Sequence, residues 1–501
     1  MNKGIFIYLL IIKCLMIYNS KTKLVLEVKG NSDYLNFYYI DLSLGSKKQK
    51  QIFILDTTSS IISSPCTLCE SCGEHLNDYY TVNSFNSAIK TNSYESKFVP
   101  NLIKNNTNLP IKKLDKNNCY FLSKQENEEI FGIYLNDILS FKTINLKENN
   151  VLLRQEYEFI LPIGCSLKEK GYYMTSVADG IFGLNNNIKS FVSMLYMKGI
   201  IHKNLFTLCF DRNGGYFSLG DIETDHHICS KISYIDYNPS SELYILDIDS
   251  IYIEDYEISV KNNSTLNSAS TISYFPENIF NEIAIGIFLK CAESEGKCGD
   301  IKKEEGYGIC MDFDNMSNII DTDDIIDALP LIKIKFKNYE FNWEPKNYLL
   351  NFTSKNKIRT CFGIDTEKNL KNIILGTNFF HGYDIIFDRN EHKIGFCEAF
   401  CGGYFNENIT INDTNDVSEI KILTRPKPES NRFHPLFFPI IFSFLILILI
   451  LINNIFRKRK IFNNNNSIIS EKNIPLKEIN DNNDSSEKKE LIIKNDNIIN
   501  N

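Results

Sequence analysis

Residues 53 to 60 read FILDTTSS, an apolar run that delivers Asp56 into a turn lined with hydroxyl side chains. A carboxylate so placed is a candidate general acid or base, since a positioned side chain that exchanges protons with a reacting group is the commonest device of hydrolytic chemistry. One letter is out of pattern. Thr58 stands where a tight turn at a site would be expected to use glycine. A second stretch, LNSAST (266–271), echoes LDTTSS (55–60), and in it an amide, Asn267, takes the place of the acid. The plainer alternative is that Asp56 is only a turn aspartate. A third group of reactive side chains is CTLCESC, with Cys66, Cys69 and Cys72 at a spacing that zinc can use. No second C-x-x-C pair follows, so no metal is expected there.

The elements that would hold these residues are short. Runs such as QIFIL, YFSLG, ISYIDY, LPLIKIKF and YDIIFD, punctuated by Gly, Asn and Asp, predict a mostly β fold. Helical candidates are limited to 187–199 and 277–290. A further echo, GIFGL (180–184) with NIILGTNFF (372–380), suggests that the second half of the chain replays the first as two related lobes.

The chain has 501 residues, 43% of them hydrophobic and 23% charged, with a formal net charge of -8. That suits two sizeable lobes and gives no support for nucleic-acid binding, which favours a basic face. Residues 1–20 read as a signal peptide, with an uncleaved anchor as the alternative. The span 436–456, LFFPIIFSFLILILILINNIF, is long enough for a transmembrane helix, and RKRK (457–460) behind it places that end in the cytosol. The expected order is an N-terminal lobe over 21–235 with a Cys-rich insert at 66–72, a C-terminal lobe over 236–420, a stem at 421–435, the membrane helix, and a disordered cytosolic tail over 457–501. Removing Cys14 with the signal leaves thirteen of the fourteen cysteines on the luminal side, a disulfide framework with one thiol over. Asn105, Asn262, Asn263, Asn315, Asn351, Asn408 and Asn412 lie in N-x-S/T sequons, as glycosylation of a luminal body would require.

Taken in order, these segments resemble the pepsin-like (A1 family) aspartic proteases, and most of all the membrane-anchored branch of plasmepsin V type. Asp56-Thr57-Thr58-Ser59 stands at the first D-T-G-S motif, and CTLCESCGEH is similar to that branch's cysteine-rich insert. ADGIFGL (178–184) looks like the segment crossing the first active-site loop. LNSASTISYFPENIFNEI stands at the second motif and its helix, and ILGTNFFHGYDIIFDRNEHKIGFCEAFC (374–401) completes the second lobe. The resemblance implies a bilobal fold and two carboxylates on symmetric loops that share one proton, because like charges so close cannot both ionise.

Asn267 occupies the second acid's position and cannot hold that proton. Thr57, Thr58 and Ser59 would support the first loop, Ser268 and Ala269 the second, and Thr58 and Ala269 replace both motif glycines. The resemblance also implies a flap tyrosine. Counting back from Gly132 and Asp137 puts Lys124 at its place and Asn127 at the turn. The pair Asp321-Thr322 is the rival for a second acid, but Asp323 stands where glycine is wanted. Asp321, Asp323, Asp324 and Asp327 read better as a solvated loop, and no Gly-centred calcium pattern surrounds them. Asp137 and Asp179 read as structural turn acids. The Cys66–Cys72 cluster is expected to be oxidised with a partner at or near Cys119.

The sequence thus leads us to expect an aspartic-protease homologue in a secretory-pathway membrane, the endoplasmic reticulum, single-pass with its bulk luminal. Its dyad is degenerate, its peptidase activity absent or impaired, and its inter-lobe cleft able to bind extended polypeptide without a cofactor. An active endopeptidase processing secreted or exported proteins is the alternative. Because Thr58 and Ala269 add β-carbons to both loops and the flap lacks its tyrosine, restoring the aspartate at 267 alone is expected to recover little.

Overall fold

A computed structural model describes residues 23–413 apart from 33–36, 83–86, 89–118, 126–127, 148–150, 294–299, 305–307, 315–325, 327, 355–356 and 403–409. The expected leader, stem, apolar span 436–456 and tail lie outside the described residues, as do Asn127, Asp321, Asp323, Asp324 and Asp327. Among the described residues no helix is long and apolar enough to cross a membrane.

The fold is mostly β, as the short alternating runs predict. In the first lobe β1 (Leu24–Asn31), β2 (Phe37–Leu44) and β3 (Gln49–Asp56) are antiparallel neighbours. In β2 the residues Tyr38, Ile40, Leu42 and Leu44 turn inward while Asp41 faces solvent, the period-2 burial of a half-covered strand. β4 (Ile62–Pro65) follows the Asp56 turn. β5 (Tyr120–Gln125) and β6 (Glu128–Lys147) pair as an antiparallel hairpin, and β7 (Val151–Lys170) pairs along β6. Then come α1 (Tyr172–Thr175) and β8 (Gly180–Gly183), which runs parallel to β3 with Asp56 opposite Gly183. The first expected helix is α2 (Phe191–Met197), and β9 (Leu205–Asp211) and β10 (Gly214–Leu219) close the lobe.

The second lobe repeats the scheme. β11 (Ile245–Ile253) and β12 (Tyr256–Leu266) form an antiparallel pair that ends at Asn267. After β13 (Ser273–Tyr274) comes α3 (Glu277–Glu293), the second expected helix, whose buried Ile279, Phe280, Ile283 and Ile287 recur at the three- and four-residue spacing of one helix face. β14 (Ile373–Leu375) runs parallel to β12 with Leu375 opposite Leu266, the counterpart of the β3–β8 pair. α4 (Thr377–Phe380), β15 (Tyr383–Asp388) and β16 (Lys393–Glu398) follow. β15 pairs antiparallel with β9, so strands that end the second lobe join the first lobe's sheet. Phe206 of β9 stacks on Phe387 of β15 with centroids 4.4 Å apart, inside a core that runs through both lobes.

The echo of GIFGL with NIILGTNFF marks matching glycines. A β-carbon on Gly183 would lie 2.5 Å from the Ile61 nitrogen, and one on Gly376 would lie 2.1 Å from the Ile272 oxygen. Each glycine lets its segment pass directly against a loop leaving an active-site turn.

Disulfides join Cys66–Cys165, Cys69–Cys72, Cys209–Cys401, Cys229–Cys397 and Cys310–Cys361, and Cys291 is also disulfide-bonded. The cluster is oxidised as expected, but its outside partner is not Cys119. β4 lies parallel to β7 with Ser64 opposite Cys165, which brings Cys165 against Cys66. Cys119 is buried and stands outside the disulfides given above.

Candidate active site

The two turns meet where the lobes face one another. The backbone N–H of Thr57 donates to Ser268 Oγ and that of Ser268 to Thr57 Oγ1, each at 3.0 Å. Each hydroxyl then donates onward across the boundary, Thr57 Oγ1 to Leu266 O and Ser268 Oγ to Leu55 O, both at 2.7 Å. Four buried bonds thus fix one turn against the other with near two-fold symmetry. The crossing segments repeat that symmetry: Asn185 N–H donates to Ser59 O at 2.9 Å and Thr377 N–H to Ser270 O at 2.7 Å. Thr57, Ser59 and Ser268 thus each hold a hydrogen bond within or between the turns.

Asp56, at 3% exposure, accepts at one oxygen both the Thr58 backbone N–H at 2.7 Å and the Thr58 hydroxyl at 2.6 Å. Burial pushes its carboxyl above the usual range, and the bonds from Thr58 and the Ser59 backbone pull the other way. In the second turn Asn267 Oδ1 accepts the Ala269 N–H at 3.0 Å, the same contact by the same atom position. That leaves the amide NH2 as the outward end of Asn267, a donor that cannot release a proton at any working pH.

The expected distortion by Thr58 and Ala269 is not found. Neither residue has a positive φ, so neither turn uses backbone that requires glycine. Thr58 adds a hydroxyl bonded to the acid, and Ala269 packs beside Ile52, Ile54 and Ala178.

Behind the first turn lies Arg389, buried and supplied by the loop after β15. It donates to the carbonyls of Leu184 and Asn185, to Ser190 Oγ and Ser193 Oγ at 2.6 and 2.9 Å, and to Tyr244 Oη at 2.7 Å. Asn185 in turn holds Ser59 O, so this cation of the last strands braces the turn that carries Asp56. Asp179 is structural as expected, accepting Ile52 N–H at 2.6 Å and two bonds from Asn77. Asp137 is buried against Gly45, with its Oδ1 taking the Ile138 N–H at 2.8 Å.

Lys124 does not replace a tyrosine over the acid. It sits on the outer face of the β5–β6 hairpin, exposed, with Glu129 at 4.0 Å. The opposite face carries Phe121 and Ile130, which pack with Ile61 and Ile181 beside the Asp56 turn and with Tyr173 of α1. The Tyr173 hydroxyl bonds Ser123 of the hairpin, and burial, then the Asp56 charge, push its proton affinity far up. The tyrosine under the hairpin thus comes from α1. Tyr173, Arg389 and the hairpin's inner face were not singled out in the sequence, and only the run Tyr172-Tyr173 before the ADGIFGL segment offered a signal.

A family model described as eukaryotic aspartyl protease matches residues 125–399, more than half of the chain. The chain belongs to the eukaryotic aspartyl protease family. The matched span starts beyond Asp56, and the first turn takes its place in this protease homologue through its bonds to the second. Plasmepsin V of Plasmodium falciparum (isolate 3D7) is 24% identical over 453 residues, covering 75% of this chain and 73% of its own length. Aspartic protease 5 of Toxoplasma gondii is 24% identical, covering 74% of this chain but 37% of its own length. Aspartic proteinase-like protein 1 of Arabidopsis thaliana is 23% identical, with 75% and 69% covered. The homologue is thus pepsin-like and related to plasmepsin V.

Proposed function

We propose that this protein is an aspartic-protease homologue that holds extended polypeptide between its lobes and has lost the ordinary two-carboxylate hydrolysis, or nearly so. The observation that carries the reading is the contrast at the paired turns. Asp56 and Asn267 sit in matching hydrogen-bond frames, yet one side holds an acid and the other an amide. The frame for binding is kept while the shared proton of the dyad is gone. A β-rich cleft of this kind recognises an extended chain through main-chain hydrogen bonds.

The working endopeptidase is the second reading, favoured by the surviving Asp56 and the undistorted turns. We place the protein in a secretory-pathway membrane, the endoplasmic reticulum, anchored by 436–456 with the lobes luminal. The five described disulfides support an oxidising compartment.

The test is to incubate the full-length protein in detergent with a diverse peptide mixture at acidic and near-neutral pH, following both capture and cleavage. Capture with little cleavage is expected. Rapid cleavage that an aspartic-protease inhibitor stops would overturn the reading in favour of the endopeptidase.

A further inference from the structure

The hairpin above Asp56 presents an acid of its own. In its ladder Gln125 pairs with Glu128, and Lys124 pairs with Glu129. Side chains alternate faces along a strand, so the ion-paired outer face fixes the inner one. Glu129 lies on the other face, between Lys124 at 4.0 Å and Lys168 at 3.7 Å. Phe121, Ser123, Glu128 and Ile130 therefore share the inner face, and Phe121 and Ile130 are packed on Ile61, two residues past Ser59. Glu128, two residues before Ile130 on that face, is half-buried, and the Asp56 charge acts on it.

We propose that Glu128 is the proton donor that replaces the acid missing at Asn267, giving the protein a slow peptide hydrolysis run by Asp56 and the hairpin. The inference rests on the groove reading above, since it needs a peptide held between the lobes. In the step, ionised Asp56 takes a proton from water as the water oxygen bonds the peptide carbon. The Asn267 NH2 donates a hydrogen bond to the carbonyl oxygen as it gains charge. The C–N bond then breaks, and the leaving nitrogen takes the proton of the Glu128 carboxyl. Asp56 ends protonated and Glu128 ionised, and exchange with solvent resets the pair.

The surroundings suit those roles. The charged and titratable groups facing Glu128 are Asp56, Glu367 from the second lobe, and the hydroxyls of Tyr172 and Tyr173 from α1. Burial first, then the Asp56 charge, then Glu367 push the Glu128 carboxyl up, the direction a proton donor needs. The cations near the hairpin, Lys124 and Lys168, are engaged on its other face.

The test compares full-length wild type, Glu128→Gln, Glu129→Gln and Asp56→Asn in detergent. Cleavage of a peptide mixture is read by mass spectrometry across pH, and binding by polarisation of a fluorescent peptide. Wild type should bind and cleave slowly. Glu128→Gln should keep the affinity, lose about 100-fold or more in kcat as removal of a general acid does, and flatten the fall in rate on the alkaline side. Glu129→Gln should match wild type, and Asp56→Asn should bind without cleaving. Wild type that binds without cleaving overturns the proton-donor assignment and leaves the groove reading standing, as does Glu128→Gln at the wild-type rate. Peptides that do not bind at all overturn the groove reading and this assignment with it.

Discussion

Thr57 and Ser268 exchange backbone-to-hydroxyl hydrogen bonds at 3.0 Å in both directions, although 211 positions separate them in sequence. Their hydroxyls add two more bonds across the same boundary, to Leu266 O and Leu55 O. Thr57→Val leaves Ser268 N–H and Leu266 O without their partner in a buried setting, which costs about 1–3 kcal/mol per unsatisfied group. Ser268→Ala makes the reciprocal loss at Thr57 N–H. Because both changes dismantle one network, the double variant should lose less than the two singles added together. Denaturant titration of the four proteins checks this, and simple additivity would mean that the bonds act independently.

Asp56 gives a pH signature. Its carboxyl is raised in the folded state by burial, so the folded protein binds this proton more tightly than the unfolded chain does. Stability from this group is fully present below the unfolded value of about 4 and is lost as pH rises through the folded value. Asp56→Asn retains an oxygen for the Thr58 bonds and removes the charge. It should therefore raise the melting temperature at neutral pH and leave it nearly unchanged below about pH 4. A variant less stable than wild type at neutral pH would show that the charge is held by more than the bonds from Thr58 and Ser59.

How much of this was readable beforehand depended on the range of the signal. Asp56, Asn267, Gly183 and Gly376 were legible because each belongs to a short run that occurs twice, and a repeated local pattern survives any ambiguity about neighbours. Helices at 191–197 and 277–293 were legible for a similar reason, through spacing within one element. The hairpin was located, but not which of its faces meets the acid. That depends on where the turn falls, and a slip of one residue exchanges inside for outside along the whole strand. Lys124 was thus placed over the site and found outside it, while Glu128 went unnoticed. The expected strain at Thr58 and Ala269 failed because a missing glycine matters only where φ is positive or space is closed, and a motif does not state either.

The cysteines illustrate the same limit with a measurable consequence. Cys165 lies 99 residues from Cys66, and only the parallel pairing of β4 with β7 brings them together. Cys165→Ala should cost about 2–4 kcal/mol, the usual effect of losing a bridge that closes a long loop. Cys119→Ala removes only a small buried side chain and should cost about 1 kcal/mol. Thiol counting on the unfolded protein, followed by peptide mapping, should find Cys119 labelled without prior reduction and Cys66 labelled only after it. Labelling of Cys66 in unreduced protein would contradict the pairing.

Restoring the second acid tests the site as a whole. The two turns already match: Asn267 Oδ1 accepts the Ala269 N–H as Asp56 Oδ1 accepts that of Thr58, and the Thr57–Ser268 bonds hold them in register. A carboxylate at 267 would enter this frame without moving the backbone, so of the two grounds for expecting little recovery, distorted turns and a flap without its tyrosine, only the second remains. Asn267→Asp should raise cleavage at least about tenfold, since a lost catalytic group commonly costs orders of magnitude in rate. With a proton-sharing pair back in place the hairpin acid becomes redundant, and Glu128→Gln should then lower kcat far less in the Asn267→Asp background than in wild type. One residue would remain out of pattern. The Thr58 hydroxyl stabilises the ionised form of Asp56, so adding Thr58→Ala to Asn267→Asp should shift the acidic limb of the rate profile upward in pH. Peptide cleavage by the single, double and combined variants across pH measures all three effects. No gain from Asn267→Asp in a protein that still binds peptide would mean that the cleft holds its ligand out of reach of the paired turns.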